Sequence, residues 1–221
     1  MTTTLIIGAS RGIGLELAQQ CAAAGERVIA SARDDAGLAR LRTLGAQALR
    51  VDVADPASIS GLAWQLDGEQ IDVALYVAGV SSHGDATQPP TQPDFDAVMH
   101  ANVLGAMQAI PQVAPLLAPG GRFGFVSSVM GRIAGVSGSQ AWLYRVSKAA
   151  LNMAVASAQS AWPDAIMVCL HPGWVQTAMG GDGAPVTVQD SAAGLRRVMA
   201  GLTAADRGAF IQYDGQRFDT W

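Results

Sequence analysis

The stretch Leu5-Ile6-Ile7-Gly8-Ala9-Ser10-Arg11-Gly12-Ile13-Gly14 decides the fold. It opens on a short apolar run of strand type and leads into residues of helical spacing, from about Gly12 to Ala24. Three glycines lie at the join. A strand that turns through glycines into a helix is the first half of a βαβ unit. The glycines permit a tight turn and let a pyrophosphate approach backbone N–H groups at the helix N-terminus. Gly8 and Gly12 are separated by three residues, a wider opening than the common dinucleotide fingerprint has. An ordinary glycine turn has the same composition. The strand–turn–helix placement favours a dinucleotide cradle made of Gly8, Ser10, Arg11, Gly12, Ile13 and Gly14.

Outward from this stretch, strands and helices alternate along the whole chain. Strands are expected at Val28–Ser31, Ala48–Val53, Ile71–Val77, Arg122–Ser127, Ala165–Leu170 and Ala209–Gln212. Helices are expected at Ala36–Leu44, from Asp55–Pro56 onward, over Asp94–Leu117, Trp142–Ala161 and Val188–Leu202. Asp55 supplies an N-cap and Pro56 a first helical position. Pro111 and Pro115 are expected to kink or shorten the long helix. No repeat, low-complexity tract or linker interrupts the pattern. The expected fold is α/β: one doubly wound parallel β-sheet, Rossmann-like, with helices on both faces, over residues 1–221 as a single domain. Ligands of such a sheet bind at the carboxyl ends of its strands.

Composition agrees with this reading and narrows the function. Hydrophobic residues make up 50% and charged residues only 14% of 221, which suits a sheet covered on both faces. A net charge of −4 without a basic stripe argues against nucleic acid. No apolar run reaches the roughly 18 residues of a membrane span. The N-terminus reads as an immediate strand, not a signal peptide, so a cytoplasmic protein is expected. Cys21 and Cys169 lie in apolar contexts and read as buried reduced thiols; no metal-ligand spacing exists.

The ends of the second and third strands bear on the cofactor. An acid at the end of strand two would bind the 2′-hydroxyl of NAD and repel a 2′-phosphate. Here the strand ends Ala30-Ser31-Ala32-Arg33, and Arg11 lies in the glycine loop. Two guanidiniums suit a phosphate dianion, so NADP(H) is favoured over NAD(H). Asp34 and Asp35 stand ready to neutralise Arg33 in part. Asp52, with Val53 at the end of strand three, reads either as a partner for an adenine amino group or as a capping carboxylate.

Lys148 is the only lysine of the chain; all other basic residues are arginine or histidine. It follows Tyr144 by four residues, and positions four apart share a helix face. An ammonium beside a phenol favours phenolate and draws its pKa toward the range of an acid/base catalyst. Spacing alone is equally met by a surface Tyr-Lys pair. Ser127-Ser128-Val129-Met130-Gly131 ends strand five at the ligand edge, with Ser128 sixteen residues before Tyr144.

In these motifs, in this order and spacing, the chain resembles the short-chain dehydrogenase/reductase family over essentially its whole length. The resemblance implies that Tyr144 is the general acid toward a carbonyl oxygen. It implies that Lys148 lowers the tyrosine pKa and bonds the nicotinamide ribose, and that Ser128 donates to the substrate oxygen. Asn102 matches the asparagine that relays protons through water to the lysine. Of the two serines, the family pattern selects Ser128, three residues before Gly131. The segment His171-Pro172-Gly173-Trp174-Val175-Gln176-Thr177 is similar to the family's Pro-Gly segment; Pro172, Gly173, Val175 and Thr177 would then face the cofactor, and His171 would be structural. The wording of this region, and the ending with Tyr213-Asp214-Gly215 and Trp221, resembles the small C-factor-like and sniffer-like carbonyl reductases.

Two departures stand out. The family's Asn-Asn-Ala-Gly is Tyr76-Val77-Ala78-Gly79 here, which keeps Ala78 and Gly79 beside the cofactor but loses the asparagines that brace the strand. The subgroup's acid after Thr177 is Ala178. The resemblance implies a carbonyl–alcohol oxidoreductase using NADP(H), or alternatively a non-catalytic NADP-binding regulator of the same fold. His83, Met130, Trp142, Trp174 and Met179 are candidate substrate-lining residues, fit for an apolar carbonyl in an open site. A homodimer or homotetramer through the Tyr144 helix is expected of the family. Leu151, Val155 and Ala158 would supply the apolar face, unless they face the domain's own sheet.

Overall fold

The computed structural model describes residues Met1–Trp221. Seven strands form one parallel sheet in the order β3-β2-β1-β4-β5-β6-β7. In chain order they are β1 (Thr3–Ile7), β2 (Arg27–Ala32), β3 (Gln47–Arg50), β4 (Ile71–Tyr76), β5 (Leu117–Val126), β6 (Ile166–His171) and β7 (Phe210–Gln212). The helices are α1 (Gly12–Ala23), α2 (Asp35–Thr43), α3 (Pro56–Ser60), α4 (Leu62–Gln65), α5 (Gln92–Met99), α6 (Gly105–Val113), α7 (Trp142–Ala161) and α8 (Val188–Gly201). The chain reverses direction across the sheet between β1 and β4, the switch point where ligands of such sheets bind.

Side-chain alternation along the strands divides the core in two. Leu5, Ile7, Phe123, Phe125, Met167 and Cys169 face one layer, which α3, α6 and α7 cover. Ile6, Ala30, Leu75, Val168 and Leu170 face the other, covered by α1, α2 and α8. All six residues of β6 are buried, as a strand covered on both faces requires. Cys21 and Cys169 are buried, free, and on opposite faces of the sheet. No helix is long and apolar enough to cross a membrane.

Several expected elements differ in detail. β3 stops at Arg50 rather than Val53, because the chain turns there: Asp52 accepts from the Ala54 N–H at 3.0 Å, and its carbonyl accepts from Asp55 N. Pro119-Gly120-Gly121 bulges out of β5, so that Ile71 pairs with Leu117 but Val73 with Arg122. The long helix expected over Asp94–Leu117 is broken into α5, a five-residue π-turn His100–Leu104, and α6. The break precedes Pro111, which sits inside α6; Pro115 lies in the 3₁₀ turn that ends the segment. Leu151 and Val155 are fully buried against the sheet, with Ala158 packed beside them. They are not the outer face of α7; the exposed apolar residues of that helix are Trp142, Val146 and Met153.

The last residues close over the loop that follows β5. The Arg132 side chain donates to the Thr220 carbonyl at 3.0 Å and lies 4.7 Å over the Phe218 ring. Ala134 N donates to the Trp221 carbonyl at 2.9 Å, and Trp221 stacks on Phe210 of β7. Two aromatic contacts and a guanidinium thus hold Arg132–Ala134, just beyond Ser128.

Candidate active site

A cavity of about 620 Å³ opens at the carboxyl ends of β1, β2, β3 and β4. The glycine loop forms its floor, and backbone packing explains why. Gly8 has φ +94°, and a Cβ there would fall 2.6 Å from Ala78 N; a Cβ on Gly14 would overlap the Gly8 carbonyl. Ser31 ties the loop to β2, accepting from Gly8 N at 3.0 Å through Oγ and from Ala9 N at 2.7 Å through its carbonyl. The start of α1 therefore packs close against β1 and β4 at the edge of the cavity. A pyrophosphate fits this cradle. Gly8, Ser10, Arg11, Gly12, Ile13 and Gly14 all line the cavity, as do Arg33, Asp52, Val53, Ala78 and Gly79.

The two carboxylates beside Arg33 are otherwise engaged. Asp34 caps α2, accepting from Gly37 N at 2.7 Å, and Asp35 pairs with Arg50. Neither neutralises Arg33, contrary to the partial pairing envisaged from sequence. Arg50 also donates to the Arg33 carbonyl at 3.0 Å, fixing the backbone there. A third guanidinium, unanticipated from sequence, joins Arg11 and Arg33 at the cavity: Arg40, one turn into α2, donates to the Ser10 carbonyl at 3.1 and 2.9 Å. Only the return of α2 past the glycine loop brings it there. Asp52 makes the local capping contact, one carboxylate oxygen accepting from Ala54 N at 3.0 Å, and the residue also lines the cavity.

Tyr144 and Lys148 line the other end of the cavity together with Ser127; Ser128 is buried beside the Tyr144 phenol and is not among the lining residues. The two serines differ in their contacts. Ser127 Oγ donates to Asn152 Oδ1 at 2.5 Å, although Ser127 also lines the cavity, whereas Ser128 stands beside the Tyr144 phenol and lowers its pKa. Ser128 Oγ accepts from Met130 N at 3.1 Å, which leaves its hydrogen to point elsewhere. His171 supports the same turn, its Nδ1 accepting from Val129 N at 3.3 Å. Burial pushes its pKa down to about 4 and so keeps that nitrogen unprotonated, with Asp214 opposing weakly. The structural part expected of His171 is the one it has.

Lys148 is buried, with Nζ donating to the Val126 carbonyl at 2.9 Å and lying 5.6 Å from the Tyr144 ring centre. Burial draws its pKa down to about 8. The Tyr144 phenol is shifted upward, not downward as the pairing suggested: burial raises it, and the Ser128 contact recovers only part. Lys148 is not among the groups that shift the phenol, so desolvation wins.

Asn102 lies in the π-turn and is fully buried. Its Oδ1 accepts from Val80 N at 2.7 Å; its Nδ2 donates to Val80 O and Ser147 Oγ, each at 2.9 Å. The side chain braces the strand-four loop with every bond engaged. A Cβ on Gly79 would fall 3.1 Å from Asn102 Oδ1 and 3.4 Å from Lys148 Nζ, so bare backbone lies between them. The replaced asparagines also find a substitute. Tyr76, fully buried, donates from its hydroxyl to the Ala101 carbonyl at 2.8 Å, bolting β4 to the π-turn. Gly105 is required alongside, since a Cβ would sit 2.5 Å from that hydroxyl.

The segment after β6 folds back over the glycine loop. The Thr177 methyl lies 3.5 Å from where a Gly12 Cβ would be. Thr177 Oγ1 accepts from Gly180 N at 3.0 Å, and Trp174 Nε1 donates to Gly180 O at 2.8 Å. The loop thus closes on itself without the acid that Ala178 replaces. Pro172 and Thr177 line the cavity; Gly173 and Val175 stand behind it, Gly173 against the Tyr213 ring and Val175 buried. Of the five candidate substrate residues, only Met179 lines the cavity; Trp142 stands exposed at the start of α7 and Trp174 on the loop after β6.

The model of the short chain dehydrogenase family matches residues 2–185, and the chain belongs to that family. Among relatives, it is 39% identical over 149 residues to C-signal of Myxococcus xanthus, covering 66% of this chain and 90% of the relative. Among solved structures, it superposes on a carbonyl reductase from Pseudomonas aeruginosa PAO1 in complex with NADP, with a TM-score of 0.87 and 31% identity. It also superposes on the carbonyl reductase Sniffer of D. melanogaster, with a TM-score of 0.89 and 26% identity. Both superpositions cover the whole of each chain.

Proposed function

We propose that the protein is an NADP(H)-dependent oxidoreductase that interconverts a carbonyl and an alcohol. The observation that carries this reading is the meeting of Tyr144 and Lys148, with Ser128 beside the phenol, at one end of a cavity whose other end holds Arg11, Arg33 and Arg40. The NADP-bound carbonyl reductase among the similar structures supports the same choice of cofactor. In this reading the arginines hold the 2′-phosphate, the glycine loop the pyrophosphate, and Asp52 the adenine amino group. When bound, NADPH supplies the hydride. Ser128 directs its free hydroxyl hydrogen at the substrate oxygen, where negative charge develops. Tyr144, kept protonated by burial, gives its proton to that oxygen. Lys148 holds the ribose, and its charge offsets part of the burial penalty on the phenolate left behind. Asn102 holds the loop that frames Lys148, and its relay to the lysine passes through water.

Trp142 at the start of α7 and Trp174 and Met179 on the loop after β6, all exposed, support apolar ketones or aldehydes as substrates in an open, broadly tolerant site. The protein is read as cytoplasmic, and as self-associating through the exposed Val146 and Met153 of α7 rather than Leu151 and Val155. NADPH consumption against a panel of carbonyl compounds tests the activity. Turnover of several apolar carbonyls is expected; activity confined to one polar metabolite contradicts the substrate reading.

The identity to C-signal favours one alternative, a non-catalytic NADP-binding regulator. It predicts tight NADPH binding with no turnover on the whole panel. Against it stands the pairing of Tyr144 with Lys148 in the cavity, since a pure binder has no need of an acid–base pair.

A further inference from the structure

The helix that carries Tyr144 and Lys148 starts without a cap of its own. Ala141 occupies the N-cap place and has no side-chain acceptor to offer. It is also the only non-glycine residue with positive φ, at φ 53° and ψ 42°. An alanine in the left-handed region costs roughly 1–2 kcal/mol. Such strain persists only where surrounding contacts impose it. Both contacts that impose it come from the loop after β4, about sixty residues away. Ala141 N donates to the Gly84 carbonyl at 2.8 Å. Tyr144 N, in the first turn of α7, donates to Ser82 Oγ at 2.9 Å. A hydroxyl accepting from the third N–H of a helix is what an N-cap serine does locally. Here the same bond is supplied from a distant segment.

That segment is itself fixed. Asn102 holds Val80 by both its N–H and its carbonyl, two residues before Ser82. The chain of contacts therefore runs from the π-turn through Val80 and Ser82 to the backbone of Tyr144. At the other end of the same residue, the phenol meets Ser128.

We infer that Ser82 is a positioning residue for Tyr144. It caps α7 from outside the helix and sets the height of the tyrosine against Ser128 and Lys148. The loop after β4 and the start of α7 act as one unit. This inference rests on the reading of Tyr144 as the proton donor. Loss of the Ser82 hydroxyl frees the Tyr144 N–H and relaxes the strained turn at Ala141. The phenol then loses its alignment, while the glycine loop and the arginines are untouched.

The test compares Ser82→Ala, Ser82→Thr and Thr91→Ala in the full chain with NADPH and an apolar ketone. Thr91 caps α5, accepting from Asp94 N at 3.3 Å, and serves as an ordinary local cap with no hydrogen bond to α7. Ser82→Ala is expected to lower kcat tenfold or more, to leave KM for NADPH within twofold, and to displace the ionisation in the pH–kcat profile. Ser82→Thr keeps the acceptor and restores both. Thr91→Ala lowers Tm without moving kcat or the profile. Wild-type kcat and pH profile in Ser82→Ala, beside an inactive Tyr144→Phe, overturn this inference and leave the function standing. Full turnover in Tyr144→Phe overturns both. Should Ser82→Ala not fold, Ser82→Thr and Ser82→Gly decide: recovery in threonine alone supports the cap, and equal activity in both overturns it.

Discussion

Lys148 is more costly to the fold than any surface arginine would be. A pKa drawn from the ordinary lysine range down to about 8 corresponds to roughly 3 kcal/mol against the charged form in the folded chain. Between about pH 8 and the ordinary lysine value the unfolded chain binds more protons, so this penalty is full below pH 8 and fades as pH rises. Lys148→Met should therefore raise Tm at pH 7 while abolishing turnover, a pairing that thermal unfolding and kinetics read together. Lys148→Arg should keep the fold and lose most of kcat, because a planar fork cannot occupy the place of a point charge bonded to the Val126 carbonyl. At the opposite end of the cavity, Arg33 has no carboxylate partner of its own. Removing one charge-assisted contact is worth roughly 1.5–3 kcal/mol. Arg33→Asp should accordingly cut the preference for NADPH over NADH by about tenfold or more, measured as the ratio of the two kcat/KM values. An unchanged ratio would assign the 2′-phosphate to Arg11 and Arg40 alone.

Two elements hold Ser128 in place, and each predicts a distinct weakness. The turn after β5 leans on His171 through Val129 N. An unfolded histidine takes its proton near the ordinary imidazole value of about 6.5, whereas burial holds His171 unprotonated down to about 4. Across that window the unfolded chain carries the extra proton, so stability falls as pH drops from about 6.5 toward 4 and is undiminished above it. His171→Asn retains an acceptor and does not titrate; its Tm should fall less than that of wild type between pH 7 and pH 5. Farther along, Arg132 and Ala134 are held by Phe218, Thr220 and Trp221. Trp221→Ala removes the stack on Phe210 that seats the last residue, whose carbonyl then holds Ala134 less firmly. A loss of about 1–2 kcal/mol in chemical denaturation is expected, with a raised KM for the carbonyl substrate and an unchanged KM for NADPH.

Across the molecule, what was legible in the sequence is what depends on local pattern. The apolar run of Leu5–Ile7 and the glycines after it led to the parallel sheet, and α7 spans Trp142–Ala161 as its periodicity indicated. The features that escaped depend on residues distant in sequence. Arg40 reaches Ser10 only because α2 returns past the glycine loop. The π-turn around Asn102 has no signature in apolar spacing and is held by Tyr76 from β4. The direction of the Tyr144 shift followed burial, which spacing on a helix does not report. Leu151 and Val155 met the sheet because the helix packs by the face that lies beside Lys148. The same long-range packing brings Ser128 to Tyr144, and the account rests most heavily on that convergence. Its most direct test is the turnover of NADPH with an apolar ketone by Tyr144→Phe beside wild type, with NADPH affinity titrated in both. A fall in kcat of about a hundredfold or more with NADPH binding preserved is the predicted result; equal kcat in the two proteins would contradict the account.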